Sequence, residues 1–235
     1  MKTLKIISIL LMAAALLIGS CKKDDYDNSP IVTQTFSLDT FTKITLSIDG
    51  NVRLIKGNIQ KIEVTGPKET VNNIIQKVNS QKWNISLPSE YKKKYDNLEI
   101  TITSNLITGL SNSSSGNIIA EDTLSLSTLE SSGSGNIDIK TKSTTLASTF
   151  SGSGNINISG KANIFEHVTT GSGNFIGFNF ETINTVFIVA GSGNSEIFTK
   201  SNLDVKISGS GDIYYKGAPT ITQEITGSGS LINAN

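Results

Sequence analysis

GSGN stands at residues 133–136, 152–155, 171–174 and 191–194, and the near-constant interval between copies decides how this chain folds. With the last residue of each copy as a marker, and the variant tetrads included, the series is Asn117, Asn136, Asn155, Asn174, Asn194, Asp212 and Ser230, at intervals of 19, 19, 19, 20, 18 and 18 residues. A flexible linker keeps no such period, and a phosphate-cradling loop occurs once. Fixed periods of this size belong to stacked repeats, with leucine-rich repeats and β-solenoids as the main options.

The apolar positions inside each repeat choose between them. One residue after the marker stand Ile118, Ile137, Ile156, Phe175 and Ile213, and three after it Ile139, Ile158, Ile197 and Tyr215. Further on, Leu203, Val205 and Ile207 alternate with Asp204 and Lys206. Period two means strand, and neither a helical i, i+3, i+4 pattern nor an L-x-x-L-x-L run occurs in the repeats. Each repeat therefore reads as a short strand, a polar corner, a longer strand and a Gly-Ser-Gly corner that closes the turn. Glycine suits a corner where backbones stack closely and φ is positive, and asparagine suits a left-handed corner or an amide ladder from rung to rung. The predicted fold is an all-β parallel β-helix or β-solenoid with rungs of 18–20 residues, right-handed by the general preference of parallel crossovers. Seven rungs at about 4.8 Å each give a rod on the order of 30–35 Å long.

Upstream the pattern is less regular. Asp49-Gly50-Asn51 sits between Ile44, Leu46, Ile48 and Val52, Leu54 and reads as a first rung. After Gly66, Pro67 precedes Val71, Ile74, Ile75 and Val78 at helical spacing, which predicts one short helix. Two alternating stretches, Trp83-x-Ile85-x-Leu87 and Leu98-x-Ile100-x-Ile102, flank the loop YKKKYDN (91–97). Open sheet ends invite unwanted pairing, so the helix and this strand pair are expected to cover one end of the column. The solenoid domain is placed at 35–235, irregular over 35–110 and regular over 111–235.

The first residues read as an export leader. Lys2 and Lys5 precede a mostly apolar stretch of 13 residues, Ile6 to Ile18, too short to span a bilayer, which takes roughly 20. Ile18-Gly19-Ser20-Cys21 resembles a bacterial lipobox, and Cys21 is the only cysteine. The resemblance implies a signal peptide over 1–20, lipidation of Cys21 with acyl chains of the palmitate kind, and a membrane partner for a flexible tether over 21–34. Lys23, Asp24 and Asp25 resemble the Lys-Asp-Asp surface-export signal of certain outer-membrane lipoproteins, which implies an outer-membrane, cell-surface location. A solvated tether has the same composition.

With the residues GNI at 116–118, 135–137 and 154–156, GNF at 173–175, and the order of leader, lipobox, L-x-I-x-I strands and GSG-N repeats on the page, the chain resembles the auto-transporter adhesin, head GIN domain family over roughly residues 38–234. That resemblance implies a parallel β-helix-like fold and an extracytoplasmic lipoprotein, and names no ligand. Asp212 and Ser230 depart from the expected asparagine, and Ser195 from the expected apolar residue.

A formal net charge of zero and a single arginine, Arg53, exclude nucleic acid as the expected partner. Glycosidic chemistry needs an acid and a base or nucleophile several ångströms apart. Counting along the rungs, Asp138 stacks with Asn157, Ile176 and Glu196, and Asp204 falls beside Thr145, Asn163 or Asn184, so no carboxylate pair is expected. The sole histidine, His167, has no cysteine or second histidine to share a metal or a triad, and reads as a half-exposed strand residue. Calcium rolls require an aspartate where five of these seven corners carry asparagine. Neither metal nor cofactor is expected.

Three features suit binding, one of them the Thr-, Ser- and Asn-rich exposed strand faces, of which LASTFS (146–151) and LSLSTLE (124–130) are typical and which any water-facing parallel sheet also displays. Lys142, Lys161 and Lys200 share the sixth place after the marker, a row that fits an anionic ligand or a solubilising corner. The aromatic-rich rung at 175–190 offers Phe178 or Phe180 as an outward platform for sugar, or as core filling. Asn117, Asn136, Asn155, Asn174, Asn194 and Asp212 form the structural corner ladder. The sequence thus reads as a non-catalytic surface protein that binds glycan or protein, with a carbohydrate-active β-helix enzyme or a purely structural envelope component as the alternatives.

Overall fold

The structure, a computed structural model, describes residues 25–235; the leader, Cys21, Lys23 and Asp24 lie outside the described residues. In chain order the first strands are β1 (Ile31–Phe36), β2 (Lys43–Leu46), β3 (Asn51–Ile55) and β4 (Lys61–Pro67), followed by helix α1 (Lys68–Asn73). Then come β5 (Val78–Asn79), β6 (Lys82–Ile85), β7 (Glu99–Thr103), β8 (Gly109–Asn112), β9 (Ile118–Leu124) and β10 (Thr128–Ser131). The repeats supply β11 (Ile137–Phe150), β12 (Ile156–Thr169), β13 (Phe175–Val189), β14 (Ser195–Ile207), β15 (Ile213–Lys216), β16 (Thr220–Ile225) and β17 (Leu231–Asn233). They coil into a β-solenoid of about seven turns with rungs near 19 residues.

Register is parallel throughout the repeats. Ile137 pairs with Ile156, Ile156 with Phe175 and Phe175 with Ser195; one half-turn on, Leu146 pairs with Phe165, Phe165 with Thr185 and Thr185 with Leu203. These inward columns fill the core, and the residues between them face water. At the second corner of β11, inward hydroxyls cap carbonyls of the rung before it, and in β13 the Thr182 hydroxyl donates to the Phe198 carbonyl of the rung after it. Thr141 donates to the Leu124 carbonyl at 3.2 Å and Ser143 to that of Leu126 at 2.6 Å. The two glycines with positive φ, Gly160 at 106° and Gly217 at 97°, are the first at this corner, paired with Thr141, and the second just after β15.

The Gly-Ser-Gly corner works differently from the sequence expectation, because its glycines do not have positive φ. They are required by stacking alone. A Cβ on Gly135 would lie 1.8 Å from the Gly116 carbonyl oxygen, and one on Gly173 1.8 Å from that of Gly154. Successive corners ride directly on one another, leaving no room for a side chain.

The N-terminal part stacks out of sequence order. β2 lies between β6 and β8, and β3 between β7 and β9. The turn carrying Trp83 is therefore laid outside the first turn, and the chain then crosses back to build the third. Antiparallel strands close this end: β4 on β7, β1 on β4, and β5 on β6. Trp83, fully buried, packs on Phe41 at 5.7 Å and Phe36 at 6.4 Å between ring centroids. Helix α1 is shorter than its apolar spacing suggests. Val71 and Ile74 enter the core, but Ile74 is already extended, the Ile75 carbonyl accepts from the Trp83 indole, and Val78 joins β5.

The segment expected as a free tether is folded from Asp27 onward. The buried Asp27 carboxylate accepts hydrogen bonds from the Thr70 backbone N–H (2.7 Å), the Thr70 hydroxyl (2.6 Å), the Tyr91 hydroxyl (3.1 Å) and the Ser29 N–H (3.0 Å). Burial pushes its pKa up, but the hydrogen bonds from Ser29 and Thr70 outweigh burial and hold it well below the usual carboxylate range. Asp27→Ala is expected to cost about 2–3 kcal/mol of local stability, read as faster hydrogen exchange across Ile31–Phe36. Because the folded pKa is depressed, this contribution is complete above about pH 4 and is lost as pH falls below it.

Candidate functional site

The corner ladder is built from side chain to backbone. The Asn117 Oδ1 accepts from the Asn136 N–H at 2.9 Å, Asn136 from Asn155 at 2.8 Å, Asn155 from Asn174 at 3.0 Å, and Asn174 from Asn194 at 2.9 Å. Asn194 accepts from Asp212 at 3.0 Å, and Asp212 from Ser230 at 2.8 Å. The chemistry needs one acceptor oxygen per rung, so Asp212 serves as well as asparagine, and Ser230 contributes only its N–H. Asn51 belongs to the same column and accepts from the Asn117 amide at 2.9 Å; its DGN context was the sequence signal. Asn155→Ala is expected to destabilise by about 1 kcal/mol and Asn155→Asp by much less, measured by thermal unfolding.

The lysine row does not hold. Lys142 pairs in register with Lys161, but the next position is Glu181, and Lys200 reaches back to it with Nζ 2.7 Å from Oε1. The cause is the 20-residue rung: β13 takes one more residue than β12 between Ile176 and Phe180, and three more than β14 between Ile176 and Glu181, of which β14 regains one between Thr182 and Asn184. The same shifts turn Phe180 inward, where it is buried edge-on to Phe165 at 5.2 Å, so it is no outward platform. Phe178 is half-buried with the Lys216 ammonium 4.4 Å from its ring centroid. Asp25 is exposed, and its carbonyl accepts from the Lys94 N–H at 2.9 Å.

His167 is in the core rather than half-exposed. Its ring lies 4.5 Å from that of Phe187 and 4.7 Å from that of Phe175, and neither nitrogen has a hydrogen-bond partner. Ser131, Ser148 and Thr169 are also buried with unpartnered hydroxyls. Among the described residues no group of three or more His, Cys, Asp and Glu is placed to hold a metal.

On the outer face, Asp138, Asn157, Ile176, Glu196 and Tyr214 follow one another in register. Asp204 sits beside Val186 and Thr222 instead of the neighbours counted from the sequence, again because of the shifts in β13. Its column places Glu166 two rungs away beyond Val186, about 9.6 Å at the usual strand spacing.

Two outward surfaces depart from the Ser, Thr and Asn background. One is a groove of about 290 Å³ lined by Asn174, Phe175, Ile176, Asn194, Glu196 and Tyr214. It joins the corner amides to an exposed apolar floor, a carboxylate and a phenol ring. The other, on the far limb of the rung, groups exposed Ile164, Val168 and Val186 with Ile188, which pairs with Val168. The run TVFIV in β13, apolar at both parities, was its sequence signal.

The profile of the family described as "Putative auto-transporter adhesin, head GIN domain" matches residues 40–219. Among solved structures, a "putative adhesin" from Bacteroides fragilis superposes with a TM-score of 0.82 at 24% identity, covering 88% of this chain and 99% of that one. A "putative lipid binding protein" from Parabacteroides distasonis gives 0.74 at 21% identity, covering 91% and 100%. A "putative adhesin" from Parabacteroides merdae gives 0.68 at 19%, covering 88% and 98%. These likenesses establish the shared fold. No curated protein matches the chain.

Proposed function

We propose, from the premise that this chain belongs to the auto-transporter adhesin, head GIN domain family, that it is a surface lipoprotein whose solenoid binds extracellular glycan without catalysis. Cys21 carries the lipid, Lys23, Asp24 and Asp25 direct export, and the column faces outward from the outer membrane. No helix among the described residues is long and apolar enough to cross a membrane, which fits a role for the lipid as the anchor.

The observation that carries the binding reading is the groove at Ile176 and Tyr214. Sugars present apolar C–H faces beside hydroxyl rims, and the groove offers an apolar floor, a ring, the Glu196 carboxylate and the amides of Asn174 and Asn194. In the Asp204 column Glu166 stands two rungs away beyond Val186, and Glu224 on the adjacent rung is paired with Lys206, which supports binding over glycosidic chemistry. A second reading, a protein ligand, rests on the patch at Val168, Val186 and Ile188, since contiguous exposed apolar surface marks partner contacts.

Glycan arrays and whole-cell adhesion, with and without the protein, test the proposal. Tyr214→Ala with Glu196→Gln is expected to abolish glycan binding, whereas Val168→Thr with Val186→Thr leaves it intact; the reverse pattern favours the protein ligand. Mass spectrometry of the mature amino terminus and protease shaving of intact cells, with a Lys23, Asp24 and Asp25 triple-alanine control, test the anchor and its placement.

A further inference from the structure

Charge is distributed unevenly along the column. The N-terminal part, residues 25–97, has ten basic residues against eight acidic, with six lysines against three acidic residues in the stretch 68–97 alone, whereas 98–235 has six lysines against eleven acidic residues. The formal net charge near zero conceals a basic end and an acidic shaft. Lys68, Lys77, Lys82 and Lys92 are exposed on the basic end. Lys93 is paired with Glu69 at 2.7 Å.

The same end holds the start of the folded chain. Lys94 donates its N–H to the Asp25 carbonyl at 2.9 Å, Asp27 donates its own to the Lys94 carbonyl at 2.8 Å, and Tyr26 bridges Lys94 in parallel. The buried Asp27 carboxylate then fixes this strap to Thr70 and Tyr91. Cys21 is four residues before Asp25, and four residues span at most about 14 Å whatever their conformation. An anchor at Cys21 is therefore no more than about 14 Å of chain from Asp25, which is hydrogen-bonded to Lys94 of the lysine loop.

We propose that the capped, lysine-bearing end is a docking surface for the anionic headgroup phosphates of the membrane that carries the anchor, so that the column stands on this end with its acidic shaft directed away. Each exposed lysine near an anionic surface contributes about 1 kcal/mol, and the effect fades within a Debye length of roughly 8–10 Å. Four exposed lysines on the end that carries the anchor are enough to bias orientation, and the acidic shaft opposes lying flat. The orientation rests on the anchor proposed above, but its test does not require the cell to have made one.

The mature chain from Cys21 is coupled through that thiol, the only one in the sequence, to maleimide lipid in vesicles of phosphatidylcholine with phosphatidylglycerol. Trp83, the single tryptophan and part of the capped end, serves as donor to a dansyl headgroup acceptor. Energy transfer from Trp83 is expected to be at least twofold stronger in these vesicles than in pure phosphatidylcholine, and to fall to that level in high salt. Reversal of Lys68, Lys77, Lys82 and Lys92 to glutamate should do the same, with circular dichroism confirming the fold. A far-end donor, Trp83→Phe with Leu231→Trp, is expected to transfer weakly in every case. Transfer from Trp83 that ignores salt, lipid charge and lysine reversal, or stronger transfer from position 231, would overturn the docking surface. Failure to find lipid on native Cys21 would overturn only the anchor.

Discussion

Replacing Gly173 with alanine is expected to remove at least about 4 kcal/mol of stability and to lower the midpoint of thermal unfolding by about 10 °C. The new Cβ would stand 1.8 Å from the Gly154 carbonyl oxygen and 2.5 Å from Cζ of Phe150. Neither can retreat, since Gly154 is itself pressed on Gly135, with an ideal Cβ there 2.1 Å from the Gly135 carbonyl oxygen, and Phe150 is fully buried. Relief requires the rungs to separate along the corner, which breaks the backbone hydrogen bonds between them. Ser172→Ala, one residue away on the exposed side of the same corner, is expected to change stability by less than about 0.5 kcal/mol. Calorimetry on the two variants checks the contrast; a mild effect at Gly173 would mean that the corners do not ride on one another.

The second large effect is acid lability centred on His167. Complete burial among phenylalanines pushes its pKa down to about 3, below the ordinary value of 6.5. The unfolded chain therefore binds a proton that the folded chain refuses, and stability is full above about pH 6.5 and declines as pH falls toward 3. The decline amounts to about 2 kcal/mol at pH 5. His167→Leu is expected to flatten this dependence and to stabilise the protein even at pH 7, because it removes two buried nitrogens that have no hydrogen-bond partner. Denaturant titrations of both proteins between pH 4 and 8 measure it. Parallel pH profiles would show that another group sets the acid limit.

The repeats were legible because a corner without side chains must recur once per turn, and strand parity carries the inward positions from one rung to the next. Even so, the chemical reason for the glycines was only half legible. Stacking was foreseeable, but positive φ belongs to Gly160 and Gly217 instead. His167 was misplaced because polarity was weighed above parity, although it follows Phe165 by two residues and pairs between Ser148 and Phe187. Phe180 and Lys200 were misplaced for one reason: a marker-to-marker count cannot say where a 20-residue rung absorbs its extra residues, and here it does so within β13, between Ile176 and Asn184.

The N-terminal end was legible as a cover but not as an order. Nothing local in WNI or LEITIT says that this turn is laid outside the first one, because the choice depends on which core faces remain unpaired after β2 and β3 have formed. β1 was missed since the charged run before it reads as solvated. Its anchor, a buried carboxylate shared by Thr70 and Tyr91, joins residues distant in sequence. At the candidate site, the ladder and the absence of paired carboxylates in the Asp138 column followed from spacing, whereas the groove at Ile176, Glu196 and Tyr214 exists only once three rungs are stacked.

The most direct test of the account is a set of spin-label distances along the Gly-Ser-Gly corner. Cysteines placed at Ser134 with Ser192, Ser210 or Ser228 in turn, in a chain whose Cys21 is replaced by serine, report separations of three, four and five rungs by pulsed electron resonance. The stacked coil predicts distances of about 14, 19 and 24 Å, rising by about 4.8 Å per rung. Distances that fail to rise in step, or that alternate as they would across antiparallel hairpins, would contradict it.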